Sequence, residues 1–198
     1  KVRFHFQHRC TQLDLSGDTL EFATETSNPL RVKAPVVIGA DGAYSAVRQQ
    51  LQKRDRFDYR QEFLDWGYQE LSIPPKPGGG FALDPEALHI WPRHDYMLIA
   101  LPNLDQSFTC TLFLPFEGPD SFERMKTEKG VLEFFNRTFP DAVPLMPTLV
   151  DDALHHPASS LVSIQCAPWH AEGRATLIGD ACHAVVPFYG QGMNASFE

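Results

Sequence analysis

Residues 175–194 have the sequence ATLIGDACHAVVPFYGQGMN, which runs from a short apolar strand into a turn that closes on two glycines. Residues 176–178 favour a buried strand, and Gly179 lets the backbone approach a ligand closely. Asp180 then leaves a carboxylate at the carboxyl end of the strand, which is the edge where open α/β sheets place their ligands. The segment therefore predicts a cofactor site.

The end of this segment predicts a helix that starts beside the turn. Gly190 and Gly192 bracket Gln191, and the pattern of Met193-Asn-Ala-Ser-Phe197 is helical. Free backbone N–H groups and the positive end of the helix dipole would then face a ligand in the turn. An electron-rich ring system fits such a site.

A second strand, turn and helix unit lies far upstream. Residues 36–38 are all apolar and predict a short buried strand, which meets the turn Gly39-Ala-Asp-Gly42. Ser45 can cap a helix that continues to about Leu51. The two ligand turns flank the middle part of the chain, residues 43–178.

The residues before this second unit predict a β-meander. Val2, Phe4 and Phe6 alternate as in a first strand, residues 16–18 favour a turn, and the apolar pattern then returns. We expect antiparallel strands over residues 1–38.

Between the two ligand turns, residues 68–114 predict longer strands separated by Pro and Gly stretches, and hence a second sheet. Residues 118–144 are helical by pattern, and Pro140 stops the helix. Four residues of this helix share one stripe: Val131, Phe134, Phe135 and Thr138.

Composition limits the class of protein. The chain has 198 residues, of which 43% are apolar, so it can bury a core in one domain or in two. Its net charge of −8 argues against nucleic acid or an anionic membrane as the main partner, because both require a clustered basic surface. No run approaches the roughly 18 apolar residues of a membrane helix, so we expect no membrane segment here.

The four cysteines are far apart and include no C-x-x-C pair, so neither a disulfide framework nor a zinc site is indicated. A reducing, cytoplasmic location fits, and an anchor outside these residues stays open. Lys1 begins directly in the alternating pattern and Glu198 comes after barely one helical turn. We therefore expect a segment of a longer protein.

The two turns together resemble the D-G and G-D motifs of the flavin-dependent aromatic hydroxylases of the para-hydroxybenzoate hydroxylase type. The first motif is Gly39-Ala-Asp-Gly-Ala-Tyr-Ser-Ala-Val-Arg48, and the second runs from Gly179-Asp180 to Asn194. The resemblance implies a mixed α/β fold, incomplete at both termini, in which a Rossmann-like FAD-binding portion carries an inserted, mostly antiparallel β-sheet for the substrate. Residues 1–60 and 166–198 would belong to the FAD-binding domain, and residues 61–165 to the substrate-binding domain.

In that family the D-G motif contacts the flavin and the reduced nicotinamide, and the G-D motif holds the ribityl chain. Amides at the start of the last helix would stabilise negative charge on the reduced flavin. The cofactor contacts that the resemblance implies are Asp41, Gly42, Arg48, Gly179, Asp180, Gly190, Gln191, Gly192, Met193 and Asn194.

Three of these residues have structural alternatives. Asp180 could cap a helix or a turn instead. Asp41 could close an Asx turn. Arg48 could equally pair with Gln52 or Asp55.

The sheet sequence is similar to that of the kynurenine-hydroxylating branch of the family, and the likeness extends over most of the chain. It is carried by LHIWPR at 88–93, MLIALPN at 97–103, SFTCTLFLP at 107–115 and PFYGQGMN at 187–194. The resemblance implies L-kynurenine, an aromatic amino acid, as the substrate. Its pocket would be lined by Leu88, Met97, Ile99, Leu101 and Phe113, with Pro187, Phe188 and Tyr189 as the floor.

The pocket walls have independent support and also an alternative. The alternation of Met97, Ile99 and Leu101 by itself places these three side chains on one face of a strand. An apolar face of a sheet is, however, more often simply core.

The implied reaction is hydroxylation of L-kynurenine to 3-hydroxykynurenine, with FAD as cofactor and with NADPH and O₂ as co-substrates. The sequence leaves the choice between NADPH and NADH open. Because the reactive group is the cofactor's own, no catalytic side chain and no metal ligand is assigned. The family's G-x-G-x-x-G fingerprint and its carboxylate-binding Arg and Tyr are not among these residues, so we expect the segment alone to be inactive.

Three other functions stay open. The chain could belong to a related flavoenzyme that acts on another aromatic or isoprenoid substrate. It could be a module that binds FAD or an aromatic ligand without catalysis, or a structural β-sheet domain. Substrate-coupled oxidation of NADPH and the yellow colour of bound flavin would distinguish these possibilities.

Overall fold

The computed structural model describes residues 1–25 and 28–198. Thr26 and Ser27, which fall within the predicted meander, lie outside the described residues. The chain forms two compact units. Unit 1 comprises Lys1–Phe63 and Val162–Glu198, and unit 2 comprises Leu64–Leu161.

Unit 1 contains a three-stranded antiparallel sheet formed by β1 (Arg9–Asp14), β2 (Thr19–Ala23) and β3 (Leu30–Lys33), in that order. The predicted turn joins β1 to β2, and the Asp14 carboxylate accepts hydrogen bonds there from Ser16 N–H at 2.9 Å and Ser16 Oγ at 2.6 Å. The meander is therefore confirmed from residue 9 onward.

The predicted strand at the start of the chain is wrong. Val2, Phe4 and Phe6 are 77 to 80% exposed, and no strand precedes Arg9 among the described residues. Alternating apolar residues define a face, but a strand also needs a partner for its backbone N–H and C=O groups. None of the strands described here pairs with residues 1–8.

A second sheet of unit 1 contains the parallel strand pair that precedes the two ligand turns. It consists of β4 (Val37–Gly39), β10 (His170–Ala171) and β11 (Ala175–Leu177), in the order β10-β11-β4. Strand β11 runs parallel to β4, with Leu177 opposite Gly39. Helix α1 (Ala46–Leu51) follows β4 and buries Val47 and Leu51 in one core with Val37 and Leu177.

The predicted helix cap is confirmed, since Ser45 Oγ accepts a hydrogen bond from Arg48 N–H at 2.9 Å. Helix α4 (Asp180–His183) follows β11 directly, and helix α5 (Gly192–Phe197) ends the chain. A 3₁₀ helix at Pro187–Tyr189 lies between them in sequence.

Two long strands carry the chain between the units. Strand β5 (Asp58–Ile73) leads from unit 1 into unit 2, and β9 (Ser159–Ala167) leads back. In unit 2, β6 (His89–Arg93), β7 (Tyr96–Pro102) and β8 (Phe108–Pro115) pair antiparallel, as do β8 and β5. The sheet order is β6-β7-β8-β5-β9, which confirms the expected inserted antiparallel sheet.

The helices of unit 2 cover one face of its sheet. Helix α2 (Glu128–Thr138) buries all four residues of the predicted stripe, and helix α3 (Leu149–His155) packs in the same core. Short 3₁₀ helices occupy Phe122–Met125 and Val143–Leu145. Within residues 1–25 and 28–198, no helix combines the length and the apolar character that crossing a membrane requires.

Helix α2 is shorter than the predicted range of 118–144. It starts after Thr127, whose Oγ accepts from Gly130 N–H at 3.2 Å, and it ends two residues before Pro140. A proline pushes the residue before it out of the helical region, which accounts for this end. Helix α3 was not predicted.

Candidate functional site

The two ligand turns of unit 1 lie at one edge of its parallel sheet. Because β4 and β11 are adjacent and parallel, the chain leaves both strands at the same edge. Ile178 N–H still donates to Gly39 O at 3.0 Å beyond the last paired residues. The structure thus brings the D-G and the G-D motifs together.

The Asp41 carboxylate contacts the start of α1. One of its oxygens accepts from Ser45 Oγ at 2.5 Å, and the other accepts from Ala46 N–H at 2.7 Å and Val47 N–H at 3.2 Å. Asp41 therefore satisfies N–H groups that the first helical turn leaves without partners. This role differs from the Asx turn that the sequence offered as an alternative. A contact between Asp41 and a cofactor stays a prediction.

The Asp180 carboxylate is exposed at the start of α4. It accepts no hydrogen bond and forms no ion pair with any described residue, and it does not cap the helix. The N-cap position belongs to Gly179, whose backbone at φ 59° and ψ −142° lies in a region that is essentially restricted to glycine. Asp180 is thus free to accept hydrogen bonds from a ligand hydroxyl.

The glycines of the site leave open space above the backbone. Gly42 and Gly190 have φ values of 78° and 63°, and a methyl group placed on Gly42, Gly190 or Gly192 would meet no atom within 4 Å. The first N–H groups of α5, at residues 192–194, have no acceptor within the helix. A flat ligand could therefore approach this part of the backbone closely.

The other polar residues of the turn bond to one another. Gln191 Nε2 donates to Tyr189 O at 3.2 Å, and Asn194 Nδ2 donates to Gln191 Oε1 at 3.0 Å. Met193 is 68% exposed beside them. These contacts tie the glycine turn to the first turn of α5.

Arg48 is only 2% exposed and contacts both motifs. Its Nη2 donates to Ala43 O at 2.6 Å and its Nη1 to Ala181 O at 2.8 Å. Its guanidinium lies 5.0 Å from the centre of the Tyr59 ring. The predicted pairing of this side chain with Gln52 or Asp55 is wrong.

The thiol of Cys182, which lies in α4, is unsuited to nucleophilic chemistry. Burial raises its pKa to about 11, and the nearby Cys166 adds to the rise. Its Sγ donates to Gly179 O at 3.2 Å. Cys182 is therefore neutral at physiological pH and packs beneath the turn.

Four of the five residues predicted to line a pocket share one face of the sheet in unit 2, and two of these, Ile99 and Phe113, are only 9% and 1% exposed. Along β7, Leu98 and Ala100 are fully buried in the core, so Met97, Ile99 and Leu101 point to the opposite face. The register places Phe113 opposite Met97. Leu88 precedes β6 and continues the alternation of Ile90, which is paired with Ile99.

Sequence reasoning missed three further residues on this face. Tyr68 in β5 lies opposite Phe113, and Ile90 and Thr111 both lie opposite Ile99. Alternation along β8 could have identified Thr111, which is two residues before Phe113. Tyr68 gave no such signal, because β5 was not predicted as one continuous strand.

The three residues predicted to form the pocket floor belong to unit 1. Pro187, Phe188 and Tyr189 form the 3₁₀ helix that ends at Gly190. Tyr189 is 89% exposed. These three residues directly precede Gly190 in the sequence, so they lie next to the glycine turn.

A family model described as FAD binding domain matches residues 1–198. The chain belongs to the FAD binding domain family. This membership agrees with the two ligand turns at the edge of the parallel sheet, and it identifies FAD as the cofactor.

Two curated relatives of this chain are named kynurenine 3-monooxygenase. Kynurenine 3-monooxygenase from Dictyostelium discoideum is 52% identical over 197 residues, which is 100% of this chain and 42% of that protein. Kynurenine 3-monooxygenase from Flavobacterium johnsoniae is 50% identical over 198 residues, which is 100% of this chain and 44% of that protein. The chain spans less than half the length of these curated relatives.

Solved structures agree on the fold. The tetrameric form of 2-methyl-3-hydroxypyridine-5-carboxylic acid oxygenase matches with a TM-score of 0.69 at 22% identity, covering 96% of this chain and 48% of that one. At this level of identity the match supports the FAD-binding fold alone.

Proposed function

We propose that the polypeptide containing these residues hydroxylates L-kynurenine to 3-hydroxykynurenine, with FAD as cofactor and with NADPH and O₂ as co-substrates. One observation carries the proposal: both cofactor motifs follow adjacent parallel strands, in a chain about half of whose residues are identical to those of kynurenine 3-monooxygenases. The small-molecule partner is the aromatic amino acid. The net charge of −8 gives no support to a nucleic-acid partner.

The G-D motif and the glycine turn fit FAD. Asp180 offers a carboxylate without a partner among the described residues, which suits the hydroxyls of the ribityl chain. Gly42, Gly190 and Gly192 leave room for a flat ring to approach the backbone. The free N–H groups at Gly192, Met193 and Asn194 would favour negative charge on that ring.

When bound, FAD supplies the redox chemistry and the activation of oxygen, so the protein needs no nucleophile. The task of this chain is to orient the substrate ring and to exclude water. Leu88, Met97 and Leu101 offer apolar surface for that purpose, while Ile99 and Phe113 lie buried on the same side of the sheet. Pro187, Phe188 and Tyr189 would contact the ring from the turn. We assign residues 1–60 and 166–198 to FAD binding and residues 61–165 to substrate binding.

The experiment is a substrate panel on the full-length natural polypeptide. Oxidation of NADPH, release of hydrogen peroxide and formation of hydroxylated product are measured with L-kynurenine and with other aromatic acids. We expect product formation to match NADPH oxidation only with L-kynurenine. Tight coupling with a different aromatic acid would reassign the substrate, and bound flavin without any NADPH oxidation would indicate a binding module.

A cytoplasmic location is also proposed. It is supported by the four cysteines, all of which are free, since disulfides are rare in reducing compartments. Fractionation of cells that express the natural polypeptide tests it.

A further inference from the structure

Arg48 is a buried cation without a neutralising carboxylate among the described residues. The guanidinium is shielded from solvent, and its Nε has no hydrogen-bond partner in the described part of the chain. Burying an unpaired charge costs free energy, so a position that only had to fill space would be better occupied by an apolar residue. We therefore expect the buried charge of Arg48 to have a role beyond packing.

Two guanidinium N–H groups donate short hydrogen bonds to backbone carbonyls. These two carbonyls lie far apart in the sequence. Ala43 O, at 2.6 Å, belongs to the turn of the D-G motif, and Ala181 O, at 2.8 Å, follows Asp180 in the G-D motif. A planar guanidinium holds two acceptors in a fixed geometry, which the single point charge of a lysine does not do. The Tyr59 ring, 5.0 Å away, further restricts its orientation.

The backbone of Arg48 is fixed by the same motif. Its N–H donates to Ser45 Oγ at 2.9 Å, and Ser45 in turn donates to the Asp41 carboxylate. One connected set of contacts thus runs from Asp41 through Ser45 and Arg48 to the first turn of α4.

We propose that Arg48 is a positioning residue of the FAD site, which fixes the start of α4, and with it Asp180, relative to the turn that carries Asp41 and Gly42. This inference rests on the proposed use of both turns by one FAD molecule. Arg48 acts through the two carbonyls and needs no contact with the cofactor. Its charge also reaches α4, since it opposes the rise in pKa that burial causes at the Cys182 thiol.

The test compares Arg48→Met and Arg48→Lys with Arg54→Met in the full-length natural polypeptide. Arg54 is the matched control, because its guanidinium forms a surface ion pair with Glu172 at 2.7 Å and contacts neither motif. Apoprotein is titrated with FAD, the visible absorption of the bound flavin is recorded, and hydrogen exchange of residues 179–184 is measured without FAD. Circular dichroism checks that each apoprotein is folded.

We expect Arg48→Met to raise the Kd for FAD by about tenfold or more, which corresponds to about 1.4 kcal/mol. Exchange at residues 179–184 should accelerate, and the flavin spectrum should move toward that of free FAD. Arg48→Lys should retain the fold and recover only part of the affinity, because lysine keeps the charge but does not bridge both carbonyls. Arg54→Met should leave all three measurements unchanged.

Because Kd is measured on folded protein, a loss of stability alone leaves it unchanged. Wild-type affinity and spectrum in folded Arg48→Met would overturn the inference while leaving the proposed function intact. If Arg48→Met does not fold, Arg48→Lys decides: unchanged affinity and unchanged exchange overturn the inference. Failure of the wild-type protein to bind FAD would overturn the proposed function itself, and this inference with it.

Discussion

At the scale of single residues, the two aspartates of the site have different surroundings although each follows a strand of the same parallel pair. The predicted burial of these strands is wrong at Val36, Ile38 and Ile178, which are 60%, 61% and 46% exposed. Asp41 accepts three hydrogen bonds from residues 45–47 and fixes the start of α1. Asp180 accepts none from any described residue. The first carboxylate stabilises the fold, and the second is available to a ligand.

Replacing each aspartate by alanine separates these roles. Asp41→Ala should lower the free energy of unfolding by about 1 to 2 kcal/mol, because a helix loses its capping acceptor. Asp180→Ala should change it by less than about 0.5 kcal/mol and should weaken FAD binding about tenfold through a lost charge-assisted hydrogen bond. Urea denaturation of apoprotein and FAD titration measure both effects. Equal destabilisation by the two substitutions would contradict this division.

Gly192 allows a second test of the site at this scale. It has no positive φ, and a methyl group there meets no protein atom within 4 Å. Gly192→Val should therefore fold normally and yet weaken FAD binding by about 1 to 3 kcal/mol, the usual cost of forcing extra atoms into a packed contact. Ala195→Val, on an exposed position of the same helix, is the control. Unchanged FAD affinity would show that nothing approaches Gly192 closely.

At the scale of elements, the sheet of unit 2 has one face in the core and an opposite face that carries the residues proposed to contact the substrate. Leu98 and Ala100 pack in the core with α2, whereas Met97, Ile99 and Leu101 lie on the opposite face. Leu88 and Leu101 are 52% and 46% exposed. Under the proposed function, this apolar face would supply a wall for an aromatic ring.

Two leucines of β7 test this division of faces. Leu101→Ser should raise the KM for L-kynurenine about tenfold, through loss of roughly 1.5 kcal/mol of apolar contact, with little change in stability. Leu98→Ser should destabilise the protein by about 3 kcal/mol or more, because it places a hydroxyl and a cavity in the core. Steady-state kinetics and thermal unfolding distinguish the two. A Leu101→Ser protein that is as unstable as Leu98→Ser would place both residues in the core.

Elements with a local signal were predictable from sequence. The cap at Ser45, the stripe of α2 and the turn before β2 follow from patterns within a few residues. Helix α3 is short, and its Thr148 forms no side-chain cap, so no such pattern identified it. Residues 1–7 are exposed and have the alternation of a strand, but they lack a partner strand among the described residues.

The site was predictable to a similar extent. Each strand and turn motif predicted its own ligand turn, and the parallel pairing of β4 with β11 brings both turns to one edge. The partners of Arg48 were not predictable, because the carbonyls of Ala43 and Ala181 have no signature in the sequence. Tyr68 was missed because only the pairing of β5 with β8 reveals which face of the sheet it shares with Phe113.

At the scale of the whole molecule, the chain divides between two units while its sequence matches one FAD-binding family throughout. Unit 1 carries the cofactor motifs, and unit 2 carries the apolar sheet face. The chain spans 42% and 44% of two curated kynurenine 3-monooxygenases. Activity is therefore a property to be tested on the full-length natural polypeptide.

The most direct measurement is the fate of molecular oxygen in that polypeptide. Purified protein with FAD is supplied with NADPH, L-kynurenine and isotopically labelled O₂, and the product is analysed by mass spectrometry. The proposed function predicts 3-hydroxykynurenine that carries one labelled oxygen atom on the ring carbon beside the amine. Oxidation of NADPH that yields only labelled hydrogen peroxide, with L-kynurenine recovered unchanged, would contradict it.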